Sequence, residues 1–183
     1  MNFFNELLVN SHSGDYSNIN DVILKYFKRF KECEIILQEV AKNKHNIIIF
    51  WGNPKLLINV HIDTISPTPN WLTNPYELYS KNDKLFGLGT CDTKGNIYAI
   101  YEAIQRIKPQ NLMLLFSVDE ETNSIESGVT FFLKSSLCAE IKRVIVCEPT
   151  DNIPSISHKG YCSFFLKTST LSRHSSNTEF LND

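Results

Sequence analysis

The chain has 183 residues, of which 42% are hydrophobic and 21% are charged, and its formal net charge is −2. These values are ordinary for a single globular domain and exclude collagen-like, coiled-coil and disordered proteins. With 18 basic and 20 acidic residues, the chain lacks the basic excess that is typical of nucleic-acid binding, so we expect no nucleic-acid partner.

We expect no targeting signal in the N-terminal segment. It lacks a basic start and a long apolar run, and nowhere do about 18 apolar residues follow one another. The five cysteines are scattered and form no C-x-x-C pair, as is common in a reducing compartment. We therefore expect a cytoplasmic protein that has no membrane partner.

The first regular elements are a helix and three strands. Apolar residues at helical spacing predict a helix of about three turns, carried by Ile19, Val22, Ile23, Tyr26, Phe27 and Phe30. Three apolar runs between turn signals, CEIIL, HNIIIFW and KLLINVHID, predict buried strands. Residues 66–79 are rich in Pro and Asn and predict a surface loop, and KLFGLGTCD predicts a short strand that enters a glycine-containing turn.

The second half of the chain alternates helices and strands. A helical pattern ends at Pro109, NLMLLFSV predicts a fully apolar strand, and a helix around Val129–Lys134 precedes the strand RVIVC. This alternation predicts an α/β fold with a mainly parallel sheet flanked by helices on both faces. A further strand, YCSFFLKTST, is predicted after Gly160.

Acidic and imidazole side chains follow the predicted strands directly. INV runs into His61-Ile62-Asp63, FSV into Asp119-Glu120-Glu121 and IVC into Glu148, while Asp92 ends a fourth segment. Ligands bind at the carboxyl ends of strands in open α/β sheets, and clustered carboxylates need a positive partner. Because no run of Lys or Arg lies nearby, we predict zinc or another divalent transition metal, and more than three carboxylates suggest two ions with a bridging ligand.

Each of these residues also has a structural interpretation. His61 alone, near a strand end, would more often be structural, and Asp92 could cap the helix that follows it. The pair Glu120-Glu121 could be a solvated start of a helix, and Glu148 could be a plain loop residue. Their joint placement at strand ends of one sheet favours the metal site.

Five segments in this order, NVHIDT, GLGTCDTKG, SVDEET, CEPT and HKG, resemble the dinuclear zinc hydrolases of the acetylornithine deacetylase family. Its relatives include succinyl-diaminopimelate desuccinylase, aminoacylase and glutamate carboxypeptidase. The segments are most similar to the acetylornithine and N-acetylcitrulline deacetylase branch, because of Trp71 and Pro75 in W-x-x-x-P, GLG-x-CD-x-KG and EPT. The resemblance implies a three-layer zinc-exopeptidase-like fold and hydrolysis of an N-acyl amino acid, such as N-acetylornithine or N-acetylcitrulline, in arginine biosynthesis.

The resemblance also implies a role for each motif residue. The first metal would be held by His61, Asp92 and Glu148, and the second by Glu121 and the bridging Asp92. The family uses two Zn²⁺ ions, with Co²⁺ as a possible substitute, and acts as a homodimer.

Three further roles concern catalysis. Asp63 would orient the imidazole of His61, and Glu120 would be the general base that takes a proton from the attacking water and passes it to the leaving amine. His174 would stabilise the oxyanion from a lid domain, reaching across a dimer. The bond between Asp92 and Thr93 is expected to be a cis peptide.

The chain differs from the family at its C-terminal end. We expect residues 1–160 to be the N-terminal part of the catalytic domain and residues 161–183 to be the start of a small α+β lid. The family's last His ligand of the second metal has no counterpart here, since His12, His45 and His158 do not fit it. We therefore expect about one tightly bound zinc, weak or absent hydrolysis, a doubtful dimer, and a raised pKa for at least one poorly neutralised carboxylate.

Two other interpretations remain open from the sequence. The chain could be a catalytically dead remnant that only binds metal or a partner, or an unrelated α/β nucleotide-binding module. The lack of G-x-G-x-x-G and of a Walker sequence counts against the module. Cys91 and Cys147, beside the predicted ligands, are expected to be core residues because neighbouring side chains of a strand point to opposite faces.

Overall fold

The observed elements follow the predicted order and add a few short ones. The computed structural model describes residues 2–12, 14–122, 126–160, 162 and 164–167. Its helices are α1 (Asn2–Glu6), α2 (Ser17–Phe27), α3 (Lys94–Arg106) and α4 (Gly128–Leu133). Its strands are β1 (Glu34–Ala41), β2 (Lys44–Trp51), β3 (Leu56–His61), β4 (Tyr79–Lys81), β5 (Lys84–Phe86), β6 (Leu112–Ser117) and β7 (Arg143–Val146), and a 3-10 helix covers Ser136–Cys138.

The chain divides into two compact units, residues 1–152 and 153–183, and all these elements belong to the first. The predicted strand YCSFFLKTST falls in the second unit. Cys162 and residues 164–167 are not in a strand, and the rest of this segment lies outside the described residues. The lid predicted over residues 161–183 stays a prediction.

Five strands form one sheet in the order β1-β2-β6-β3-β7. The pairs β1–β2 and β2–β6 are antiparallel, while β6–β3 and β3–β7 are parallel. Since β1 and β6 both run opposite to β2, only β2 points the other way, and four strands share one direction. The sheet is thus mixed in its pairing, because a tight turn at Lys42-Asn43 folds β1 and β2 into a hairpin.

The two faces of the sheet bury different side chains, as the period of two in a strand requires. One face packs under α1, α2 and α3 and contains Ile47, Ile49, Leu112, Leu114 and Phe116. The other face packs under α4 and contains Ile48, Leu57, Met113 and Leu115, which form a cluster with Phe132 of α4. This alternation gives the three layers that the sequence predicts.

Aromatic rings join the helices of the first face. Phe3 of α1 stacks on Tyr26 of α2 with ring centroids 4.2 Å apart, and Phe27 meets Phe116 of β6 at 5.0 Å. Helix α1, which the sequence does not predict, has only five residues and is held by this packing.

At its β7 edge the sheet is open to solvent. Val144, Ile145 and Val146 are each about half exposed, at 54%, 50% and 57%. Among the described residues, no helix combines the length and the apolar character that crossing a bilayer requires.

Gly128 joins α4 to the sheet at close range. The side-chain amide of Asn46 donates to the carbonyl of Gly128 (2.7 Å), and its Oδ1 accepts from the N–H of Val118 (3.2 Å). A Cβ added at Gly128 would overlap Oδ1 of Asn46 and lie 2.7 Å from the backbone nitrogen of Val118. Only glycine fits this contact.

We expect Gly128→Ala to lower the free energy of unfolding by about 1–3 kcal/mol, measured by urea unfolding, because the added methyl group forces the backbone apart. Helix propensity alone would change the free energy of unfolding in the opposite direction, because it favours Ala over Gly by about 1 kcal/mol. Gly160→Ala is the control, since a Cβ there meets nothing within 4 Å, and it should leave stability unchanged. Equal stability of Gly128→Ala and the wild type would contradict the proposed packing.

Candidate metal centre

Three neighbouring parallel strands bring the predicted donor residues to one edge of the sheet. β3 ends at His61, and β6 and β7 flank it in the same direction. In the register, His61 lies opposite Ser117, the last residue of β6. Residues 119–121 and Glu148 follow the ends of β6 and β7 within a few positions, so the carboxyl ends of these strands form one site.

Two groups of donor atoms share His61. In the first, His61, Asp92 and Glu148 each offer one donor atom, and these atoms lie within 4.8 Å of one another. In the second, His61, Glu120 and Glu121 satisfy the same limit. The structure therefore brings the three predicted carboxylate ligands to the imidazole of His61, and it adds Glu120, for which the sequence predicts the role of a base.

The imidazole of His61 is buried and contacted on both sides. Its Nδ1 donates to the backbone carbonyl of Asp63 (3.0 Å), which leaves Nε2 facing Oδ1 of Asp92 at 2.9 Å. Burial alone would lower the pKa of His61, but the carboxylates of Asp63, Glu148 and Asp92 outweigh it and raise this pKa to about 9. The site thus favours positive charge at the imidazole.

Asp63 acts on the site in two ways. Its backbone carbonyl makes the hydrogen bond to His61, whereas its carboxylate Oδ1 lies 3.7 Å from Nδ1 of His61. The other oxygen, Oδ2, accepts from the backbone N–H of Glu121 (2.9 Å). The sequence predicts that this carboxylate orients His61. In the structure the hydrogen bond to His61 comes from the backbone carbonyl of Asp63, and the carboxylate holds the backbone of Glu121.

The pKa values of Glu121 and Glu148 are both raised above the usual range of a glutamate. Burial is the largest cause in each case, and neighbouring carboxylates, Asp92 among them, add to it, while His61 opposes it. A raised pKa is the direction expected from the sequence, although like-charge repulsion contributes less than burial does.

The turn before α3 places Asp92. The peptide bond between Asp92 and Thr93 is cis, as the resemblance implies. The hydroxyl of Thr93 donates to the carbonyl of Cys147 (3.1 Å), so the turn is tied to the residue before Glu148. This hydrogen bond links the residue after Asp92 to the residue before Glu148, and so connects two donor residues that are far apart in the sequence.

The two cysteines beside the site differ from each other. Cys91 is exposed, so its predicted place in the core is wrong, because residues 88–93 form a turn in which strand alternation does not apply. Cys147 is partly buried, and burial, followed by the charge of Glu148, raises the pKa of its thiol.

Sequence reasoning missed several residues that support the site. Lys94 is buried, its Nζ donates to the carbonyl of Val9 (2.8 Å), and burial lowers its pKa to about 7. Tyr16 and Lys44 both bond the carboxylate of Asp119, and burial, followed by the hydrogen bond to Asp119, raises the pKa of Tyr16. No local pattern reveals such contacts, since the partners are far apart in sequence. The predicted oxyanion residue His174 lies outside the described residues.

The residues present fit a divalent metal ion. One imidazole and several carboxylates are the donor set that zinc and related transition metals bind. Oδ1 of Asp63 is buried and has no hydrogen-bond partner among the described residues, and it lies where it can support the proton on Nδ1 of His61. The crowded glutamates also favour added positive charge.

Comparison with known proteins agrees with this geometry. The family model described as peptidase family M20/M25/M40 matches residues 57–161. The chain is 34% identical over 155 residues to an acetylornithine deacetylase of Aliivibrio salmonicida, covering 81% of this chain and 40% of that protein. It is 33% identical over 125 residues to an N-acetyl-L-citrulline deacetylase of Xanthomonas campestris, covering 68% of this chain and 33% of that protein.

A solved structure shares the fold. It is an M20 family metallo-carboxypeptidase, Sso-CP2 of Sulfolobus solfataricus, with a TM-score of 0.58 and 20% identity, covering 79% of this chain and 36% of that one.

The chain spans only part of the length of its relatives, 40% of the acetylornithine deacetylase and 33% of the N-acetyl-L-citrulline deacetylase.

Because His61 belongs to both donor groups, we expect His61→Ala to abolish tight binding of Zn²⁺, measured by equilibrium titration against a chelating indicator. Removing it leaves the carboxylates without their only imidazole partner in either group. His45→Ala, in β2 and in neither donor group, is the matched control and should retain the wild-type affinity. Tight binding that survives His61→Ala would show that the site has been misassigned.

Proposed function

Because the chain belongs to peptidase family M20/M25/M40, we propose that it carries the metal-binding part of a hydrolase that cleaves the amide bond of an N-acyl amino acid. The observation that carries the proposal is the pair of donor groups that share His61. Because Nδ1 of His61 is bonded to the carbonyl of Asp63, its Nε2 would bind one ion, with an open position for water. A second ion would need a carboxylate such as Asp92 as the bridge.

The proposed substrate class follows from the curated relatives. Those at 33–34% identity are named acetylornithine deacetylase and N-acetyl-L-citrulline deacetylase. We infer a similar substrate here, an N-acetylated amino acid such as N-acetylornithine or N-acetylcitrulline, within arginine biosynthesis.

The five cysteines are free thiols, which supports a location in the reducing cytoplasm.

The proposed metal assignment takes the first donor group for one ion and follows the family resemblance for the second. His61, Asp92 and Glu148 would hold one ion, and Asp92 would bridge to a second ion held by Glu121. A bound Zn²⁺ or Co²⁺ would supply Lewis-acid polarisation of the scissile carbonyl and a lowered pKa for the attacking water. We expect one tightly bound equivalent, since among the described residues this assignment gives the first ion three protein ligands and the second ion two, Asp92 and Glu121.

The chain's own residues would handle the proton and the geometry. Glu120 would accept the proton of the attacking water on its carboxylate and deliver it to the nitrogen of the leaving amine. Asp63 would hold His61 through its carbonyl and Glu121 through its Oδ2. His174 is proposed to stabilise the oxyanion, from a lid that pairs in a homodimer.

The position of Glu120 supports this assignment. Its carboxylate lies beside His61 and Glu121 and is exposed, which suits contact with a substrate. The same position would also suit a ligand, so the base and ligand roles give different predictions for one substitution.

We expect Glu120→Gln to lower amide hydrolysis by about 10²–10⁴-fold, the usual contribution of a general base, while Zn²⁺ affinity changes little. The assay is release of a free amine from N-acetylornithine and N-acetylcitrulline in the presence of Zn²⁺ or Co²⁺, with an unmodified dipeptide as the competing substrate class. Glu39→Gln, an exposed glutamate of β1, is the matched control.

Three outcomes separate the alternatives. A large loss of metal affinity in Glu120→Gln would make Glu120 a ligand instead of a base. Cleavage of the dipeptide but not of the N-acetyl compounds would replace the proposed substrate class. Tight metal binding without hydrolysis of any substrate would favour a remnant that only binds metal or a partner.

A further inference from the structure

Two residues from the N-terminal third of the chain converge on Asp119, directly before the proposed base. The hydroxyl of Tyr16 donates to Oδ1 of Asp119 at 2.6 Å. The ammonium of Lys44 donates to Oδ1 at 2.9 Å and to Oδ2 at 2.7 Å. Both oxygens of the carboxylate are thus occupied, although the partners lie 103 and 75 residues away in sequence.

Burial makes these contacts strong constraints. Asp119 is 3% exposed and Tyr16 is fully buried. A buried carboxylate is costly unless it is paired and hydrogen-bonded, so Asp119 is confined to the place where Tyr16 and Lys44 meet. Charge-assisted hydrogen bonds of this kind are also stronger than neutral ones.

The backbone at Asp119 turns the chain into the site. Asp119 has φ +61°, a left-handed conformation that Asp adopts more readily than most residues, and it ends the extended path of β6. Its carbonyl accepts from the hydroxyl of Thr122 (3.3 Å). The next two residues are Glu120 and Glu121, so the position of Asp119 determines where both carboxylates begin.

The same short segment is held from its other side. The N–H of Glu121 donates to Oδ2 of Asp63 at 2.9 Å, and Asp63 also contacts His61. Glu120 and Glu121 are therefore held by two buried aspartates: Asp63, which is bonded to His61 and Glu121, and Asp119, which is bonded to Tyr16 and Lys44.

We propose that Tyr16 and Lys44 are positioning residues that hold Glu120 and Glu121 beside His61 by fixing Asp119. The roles of the two glutamates rest on the proposed function, but the anchoring itself does not. Among the described residues, Tyr16 and Lys44 supply no donor atom to the two groups around His61, and their hydrogen bonds reach the site through Asp119.

The test uses variants that remove one contact at a time. Tyr16→Phe removes only a hydroxyl group, Lys44→Met removes the charge, and Lys44→Arg retains it. Tyr26→Phe is the matched control for the phenol, because Tyr26 also donates to a carboxylate, that of Glu6 (2.9 Å), away from the site. Lys42→Met is the control for the lysine, two positions away in the exposed turn.

The primary readout is hydrogen exchange of the Glu121 amide in the absence of added metal. We expect this amide to exchange about tenfold faster in Tyr16→Phe and in Lys44→Met, since each variant loses a hydrogen bond to a charged group. Exchange in β2 and α3 should stay at the wild-type rate, and Lys44→Arg should restore most of the protection. Both controls should behave as the wild type does.

The second readout is Co²⁺ affinity. If Glu121 is a ligand, we expect the affinity for Co²⁺ to fall about tenfold in Tyr16→Phe and to stay unchanged in the control variants. Should Lys44→Met fail to fold, Tyr16→Phe still decides the matter, because it leaves the ion pair of Lys44 with Asp119 in place.

Unchanged exchange at Glu121 in Tyr16→Phe would overturn the proposal, as would faster exchange that is uniform over the whole sheet, which indicates a purely global role in stability. Failure of the proposed function has a different signature. It would appear as absent hydrolysis or absent metal binding in the wild type. The Glu121 amide would still exchange faster in Tyr16→Phe and in Lys44→Met.

Discussion

The concentration of negative charge around one buried imidazole is the constraint on which the site depends. His61 stands between carboxylates from three other parts of the chain, and burial raises the pKa of Glu121 and Glu148. Such a cluster is stable only where positive charge is available, from a proton on His61 or from a divalent cation. The parallel strands β3, β6 and β7 create this demand because their carboxyl ends meet at one edge.

Two aspartates that belong to neither donor group organise the residues that do. Asp63 bonds His61 through its carbonyl and Glu121 through its carboxylate, and Asp119 ties the start of the same segment to distant elements. Fixing side chains through a surrounding layer of hydrogen bonds is how sites keep reactive groups in place before a ligand arrives. The helices and the hairpin of the N-terminal third therefore contribute to the site, although none of their side chains is one of its donors.

Local signals in the sequence were sufficient for the five strands of the main sheet and for the edge that carries the site. The apolar runs of β3, β6 and β7 and the acidic residues after them are close together in the sequence. Helix α1 escaped prediction because five residues are too few for a helical period and its stability comes from Phe3 packing on Tyr26. Tyr16 and Lys44 escaped because their meeting at Asp119 is a property of the folded chain, and Cys91 was misplaced because a turn replaced the expected strand.

The open edge at β7 has a consequence for the behaviour of the molecule in solution. Among the described residues, β7 pairs with β3 alone, so one row of its backbone amides and carbonyls is free, and its apolar side chains are half exposed on both faces. An edge of this kind is a template for a strand of another molecule, and intermolecular sheet growth rises with concentration. The adjacent charges of Lys142 and Arg143 oppose that growth, and raising the salt concentration, which screens them, would promote it.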